Sequence, residues 1–283
     1  MNDVTMSETM NIETHIDNNG IATITMNRAK KHNAFDEAFI LELTEAFKSM
    51  NDDNSARLIC LKANGKSFSA GADLNWMKKM ASYSWEENYQ DSLALASLMS
   101  TIANSEKPTL ALVQGSAFGG GVGLIACCDF AIASDAASFC LSEVKLGLIP
   151  AVISPYIVQA IGPRQSTRYF ISAEKFSATR AVEIGLISEV VKAAEFDTFI
   201  ETFLNQVSGN APVAIREAKK LVKFVLNGPI NEEMIRETAS KISDRRASME
   251  GIEGVSAFLE KRDAKWPIET NNVKDLADGD GDV

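Results

Sequence analysis

The chain has 283 residues, 28 Lys+Arg against 38 Asp+Glu for a formal charge of −10, and 46% hydrophobic residues. That length and composition predict one large or two small globular domains and exclude global disorder, while the acidic balance argues against nucleic acid or an anionic membrane, whose phosphates need a basic surface. The apolar stretch from Thr109 to Ala126 is broken by Gln114 and five glycines and does not read as a membrane span.

In chain order, residues 1–10 are polar and acidic, lack the basic and apolar regions of a secretory signal, and read as a disordered extension of a cytoplasmic protein. Ile12 and Ile16, then Asn18-Asn19-Gly20, suggest a hairpin into a strand over Ile21–Asn27 with Ala22, Ile24 and Met26 on one face. Asp36 can cap a helix whose Phe39, Ile40, Leu43, Phe47 and Met50 recur at helical spacing. Leu58–Leu61 reads as a buried strand, Trp85 to about Asn104 as a helix and Thr109–Val113 as a second buried strand. A helix from Gly119-Gly120-Gly121 to Cys128 precedes a strand at Phe130–Ala133. From about Ala193 to Arg262 the pattern is helical, with Leu221, Phe224 and Val225 on one face and Phe258 and Leu259 on a later one. The alternation predicts α/β topology with a helical C-terminal part. Residues 268–283 carry a net −4 and read as a disordered tail; Asp278, Asp280 and Asp282 resemble the start of a calcium loop but lack its distal Glu and flanking helices. Cys60, Cys127, Cys128 and Cys140 sit in apolar stretches without C-x-x-C spacing, and His15 and His32 are the only histidines. Buried reduced thiols, with no metal site, are expected.

Two segments place flexible backbone directly before a helix: residues 66–74 and residues 114–123. At such turns free N–H groups point outward and the helix dipole adds positive potential. One N–H from each, converging, would form an oxyanion hole; close-packed strand-to-helix turns would use the same glycines. Neither segment carries the dinucleotide fingerprint or the phosphate loop. No G-x-S-x-G elbow supports a serine hydrolase. Glu143 lies in an otherwise apolar stretch from Ala136 to Ala151, where partial desolvation would raise its pKa toward proton-transfer range. Its alternative role is to help cap a helix near Ser142. Asp129, at a helix exit, reads as structural.

The segments MNRAKKHNAF (26–35), FSAGADL (68–74), KPTLALVQGSAFGGGVGLIACCDFAIAS (107–134), LSEVKLGLIP (141–150), SATRAVEIGLISEVV (177–191) and FLEKR (258–262) resemble the crotonase (enoyl-CoA hydratase/isomerase) superfamily. The resemblance implies a crotonase-type spiral of ββα units over residues 11–200, with a helical region at 201–267 used in self-association as a trimer or hexamer. Ala72 and Gly120 match the residues whose N–H groups hold the thioester oxygen, and Glu143 matches a catalytic acid. Ser69 and Ala70 would line the acyl-CoA crevice with backbone groups. Arg28, Lys30 and Lys66 would contact the nucleotide end of coenzyme A, and Lys261 would reach its phosphates, often in a neighbouring subunit. Coenzyme A would be part of the substrate, with no separate cofactor.

One departure is informative. Typical hydratases of the family carry a second glutamate where this chain has Gly123. Isomerisation needs one base, so chemistry alone favours an enoyl-CoA isomerase. GLIACCD, CLSEVKLGLIPAVISPYIVQAIG and the RYF that follows instead resemble a bacterial branch that includes 3-methylglutaconyl-CoA hydratase of leucine degradation and isohexenylglutaconyl-CoA hydratase of acyclic terpene degradation. Gly123 would then leave room for the branch or carboxylate of the substrate, and Val152, within Ala151-Val152-Ile153-Ser154, would line the acyl pocket. A crotonase-fold binding protein without catalysis is a third reading, disfavoured by the intact set Ala72, Gly120 and Glu143.

Overall fold

Strand alternation explains the sheet. In the computed structural model, which describes residues 10–226 and 228–266, β1 (Ile12–Ile16) and β2 (Ile21–Met26) form the expected antiparallel hairpin. β3 (Leu58–Ala63) runs parallel to β2, with Leu58 and Cys60 in one apolar layer and Ile59 and Leu61 in the other. A strand covered on both faces reads as a continuous apolar run rather than an alternating one. With β5 (Thr109–Val113), β7 (Phe130–Ser134) and β10 (Glu189–Val191), the order is β1-β2-β3-β5-β7-β10, parallel beyond the hairpin.

A second sheet, unforeseen from sequence, has the order β4-β6-β8-β9: β4 (Ser67–Ser69), β6 (Ser116–Phe118), β8 (Ser138–Cys140) and β9 (Phe176–Ser177). Residues 66–74 and 114–123 each contain one of these strands ahead of the turn. The chain thus passes β3–β4 into α2 (Leu74–Met80) and α3 (Trp85–Ala103), β5–β6 into α4 (Gly120–Cys127), and β7–β8 toward α5 (Ser154–Ser172). This is the expected ββα repeat. α5 is interrupted at Gly162, where φ is 72°, before Pro163, and α6 (Ala178–Glu183) follows β9.

α1 (Glu37–Asp52) starts where expected, Phe39 N–H donating to the Asp36 carboxylate at 3.0 Å, and buries Phe39, Ile40, Leu43, Phe47 and Met50. These join Ile24, Leu61 and Met99 in the main core. α7 (Phe196–Ser208) covers the other face of the large sheet with Phe196 and Ile200. This unit ends at Gly209, so the boundary expected between residues 200 and 201 falls inside α7. The second unit, from Asn210, contains α8 (Pro212–Leu226), α9 (Glu232–Ala247) and α10 (Met249–Glu260). Within it the buried Glu250 carboxylate accepts from Val213 N–H and Ala214 N–H at 2.9 and 3.0 Å, satisfying donors at the start of α8. The four cysteines are buried, and among the described residues none forms a disulfide. Burial pushes the Cys60 thiol up to about 12. The tail at 268–283 and, Met10 apart, the extension at 1–10 lie outside the described residues.

Candidate active site

The first turn follows β4. Asp73 caps α2, accepting from Asn75 N–H at 2.8 Å, and pairs with Lys31 at 3.1 Å. Burial pushes its carboxyl up, but the Lys31 ammonium and the N–H groups of Asn75 and Trp76 outweigh that and hold it below the ordinary carboxylate value. Phe35 runs alongside as a one-residue parallel bridge to Ala72: Phe35 N–H donates to Gly71 O at 2.7 Å, and Asp73 N–H donates to Phe35 O at 2.8 Å. In parallel pairing the bracketed residue turns its own N–H and C=O to the opposite side. Ala72 N–H therefore points away from Phe35 and has no hydrogen-bond partner among the described residues.

The second turn follows β6. Gly119 adopts φ 51°, ψ −120°, a conformation suited to glycine, and donates to Cys140 O at 2.9 Å. Gly120 then opens α4, where its N–H is one of the donors the helix cannot satisfy, and it too has no partner among the described residues. The two turns are packed together: Ser67 pairs with Ser116, and a Cβ on Gly71 would stand 3.1 Å from Phe118 O. Ala72 and Gly120 are partly exposed while Gly71, Asp73, Gly119 and Gly121 are buried.

Glu143 begins a short 3-10 turn, Glu143–Leu146, beside this pair. Its Oε1 lies 3.1 Å from where a Cβ on Gly119 would be, and its Oε2 is buried without a hydrogen-bond partner among the described residues. Burial pushes its pKa above the usual carboxylate value. Ser142 makes no side-chain capping bond. Two free N–H donors and one desolvated carboxyl can stabilise a developing oxyanion and move a proton next to it. The family model described as enoyl-CoA hydratase/isomerase matches residues 17–269.

The chain belongs to the enoyl-CoA hydratase/isomerase family. It is 50% identical to a Legionella pneumophila protein assigned to enoyl CoA hydratase/isomerase (crotonase), covering 91% of this chain and 99% of that one at a TM-score of 0.88. An enoyl-CoA hydratase structure from Shewanella pealeana is 43% identical over 92% of this chain and 97% of that one, with a TM-score of 0.85. The crotonyl-CoA hydratase of Syntrophomonas wolfei is 31% identical over 248 residues, 87% of this chain and 94% of that protein. These relatives are named as enzymes, and the non-catalytic reading gives way.

In this hydratase/isomerase the remaining expected residues divide. Ser69 is fully buried; its hydroxyl donates to Asn33 O at 2.9 Å and accepts from Gly71 N–H at 3.3 Å, so its side chain braces the turn from within. Ala70 is exposed and donates its N–H to His32 O at 2.9 Å. Lys30, in a short 3-10 turn, and Lys66, on the bend before β4, are exposed cations. Arg28 is not one: its side chain is 8% exposed, lies 2.6 Å from Asp36 and 4.0 Å from Asp73, and donates to Ala34 O. Its side chain serves as an internal brace. Lys261 is the exposed C-cap of α10 in the second unit.

Gly123 departs furthest from expectation. A Cβ there would overlap Ile153 Cγ2 and stand 3.3 Å from Met99 Cε. The glycine leaves no room for a substrate branch, because Ile153, 2% exposed, fills that space. Val152 is half-buried and packs against the main core. Phe35 was not singled out from sequence, yet it touches both turns.

Proposed function

We propose that this enzyme hydrates a 2-enoyl-CoA, with a 3-branched, carboxylated acyl group of the 3-methylglutaconyl-CoA kind as its substrate. The observation that carries the reading is the carboxyl of Glu143, held against the turn that bears Gly120 N–H, with one oxygen buried and without a hydrogen-bond partner among the described residues. Ala72 and Gly120 N–H bind the thioester oxygen, which takes up negative charge as water adds. The water oxygen bonds to C3 while Glu143 takes a water proton, and the electron pair moves through C2 to the thioester oxygen. Glu143 then returns a proton to C2 and the carbonyl reforms. A carboxyl with a raised pKa suits this two-way traffic. The thioester supplies the acidity of C2, so no separate cofactor enters. Lys30, Lys66 and Lys261 serve the nucleotide end of coenzyme A, Val152 borders the acyl group, and the enzyme self-associates as a trimer or hexamer.

The hydratases among its relatives support hydration, and the likeness of residues 123–162 to the branched-substrate hydratases supports the acyl group. A second reading rests on Gly123: with Ile153 filling the place of a further acid, Glu143 alone could shift a proton between C4 and C2, an isomerisation. Turnover in ¹⁸O-water of 3-methylglutaconyl-CoA, crotonyl-CoA and a 3-enoyl-CoA, with products identified by mass, tests both. Labelled hydroxyacyl-CoA formed most rapidly from the branched substrate is expected. Products of unchanged mass with a moved double bond would replace hydration by isomerisation.

A further inference from the structure

We infer that Phe35 is the positioning residue that sets the geometry between the two oxyanion-hole donors, an inference that rests on the roles given above to Ala72 and Gly120. Phe35 contacts both halves of the hole by different means. Its backbone holds the first turn from both sides of Ala72, through the bonds to Gly71 O and from Asp73 N–H. Those two bonds fix the direction of the Ala72 N–H. Its ring meets the second turn: a Cβ on Gly120 would stand 2.6 Å from Phe35 Cε2 and 3.1 Å from Cδ2. The first residue of α4 therefore packs its bare backbone against the Cδ2–Cε2 side of the ring.

The ring itself is not free to yield. Phe35 is 1% exposed, and its centroid lies 5.9 Å from that of Phe39. The following residue, Asp36, caps α1 and anchors the segment to it. The stack of Ala72 backbone, Phe35 backbone, Phe35 ring and Gly120 backbone acts as a spacer of fixed length. A shorter or more pliable side chain would let the start of α4 settle, moving one donor relative to the other. The hole's bonds strengthen as charge develops on the oxygen, so such a shift falls on the transition state more than on substrate binding.

The test compares wild type, Phe35→Leu, Gly120→Ala and the double variant in kcat, in KM and in the absorption of a bound cinnamoyl-type CoA thioester. That chromophore's band moves to the red when its carbonyl is polarised by hydrogen-bond donors. Phe35→Leu is expected to lose about 10- to 100-fold in kcat, the scale of one misplaced donor. Its KM should stay within about twofold of wild type, as for an interaction made in the transition state. Its red shift should be smaller. Gly120→Ala should also lose kcat, because its methyl meets the ring, and Phe35→Leu in the same chain should recover part of that loss. Should Phe35→Leu fail to fold, Phe35→Met, similar in volume, is read by the same criteria. A lowered melting temperature with kcat and red shift intact would overturn the role of Phe35, as would losses that merely compound in the double variant. A wild-type complex with no red shift would remove the hole itself, and the role of Phe35 with it.

Discussion

Glu143 combines two properties that normally conflict: it is partly desolvated, and in the proposed reaction it must change charge. Burial raises its folded pKa above the ordinary value of 4.5. The folded state therefore keeps a proton that the unfolded chain has already lost. Relative to a neutral side chain, the folded protein is at its best below that ordinary value and loses stability as pH rises through the raised one. Replacement by Gln removes the charge and keeps the shape. Glu143→Gln should lower kcat by about 10²- to 10⁴-fold, the usual scale for a general acid–base group. Its melting temperature, compared with wild type, should be relatively higher at pH about 8 than at pH about 4. Wild-type kcat/KM, which needs the ionised form to accept a proton from water, should fall as pH drops through the raised pKa. Thermal melts at the two pH values and a pH–rate profile check both. A variant with unchanged turnover on every enoyl-CoA would remove Glu143 from the chemistry.

Packing between elements decides what the helices can present to the site. α4 carries glycine at positions 120, 121 and 123, and in an ordinary helix interior replacing such a glycine by alanine gains up to about 1 kcal/mol. At Gly123 the outcome should reverse. A Cβ there would overlap Ile153 Cγ2 and stand 2.9 Å from Ile153 Cβ, an atom bonded to the backbone just before α5 that no side-chain rotation moves away. Overpacking of this kind costs about 1–3 kcal/mol. Gly123→Ala should therefore be destabilised in denaturant melts, and Gly123→Ala with Ile153→Ala should be less unstable than the two single losses added. Strict additivity would mean that α4 and α5 shift apart freely. The same contact shows why sequence patterns reach only part of such a site. β2 and α1 were legible because their apolar residues recur at period two or at helical spacing, and β3 and β5 because they are short continuous apolar runs. β4, β6, β8 and β9 are two or three residues long, with serine or glycine around them, and carry no period to read. α5 was hidden by its break at Gly162-Pro163. Glu143, Ala72 and Gly120 stood out through motif resemblance. The filling of Gly123 by Ile153, the turning of Arg28 inward and the seat of Gly120 on Phe35 arise between residues distant in sequence, which no local spacing encodes.

At the scale of the whole molecule, the charge of −10 is concentrated toward the ends, with −2 in residues 1–10 and −4 in residues 268–283. An acidic protein can hold polyanionic coenzyme A if its cations are local, and Lys30, Lys66 and Lys261 are exposed. Lys261 directly follows a helix whose Met249, Ile252, Val255, Phe258 and Leu259 are all exposed, Phe258 by 81%. Apolar side chains at such spacing on an exposed helix mark a surface that is covered by a partner, and the proposed self-association supplies one in a second copy. Phe258→Glu should then lower the mass seen by sedimentation from a multiple of 30.7 kDa toward a single chain. If Lys261 serves the coenzyme A of a neighbouring subunit, the same variant should raise KM for acyl-CoA. Lys261→Ala should raise KM while leaving the assembled mass unchanged. The pair separates the two roles of α10: a KM that rises in Lys261→Ala but not in a fully dissociated Phe258→Glu protein would place Lys261 at the site of its own chain.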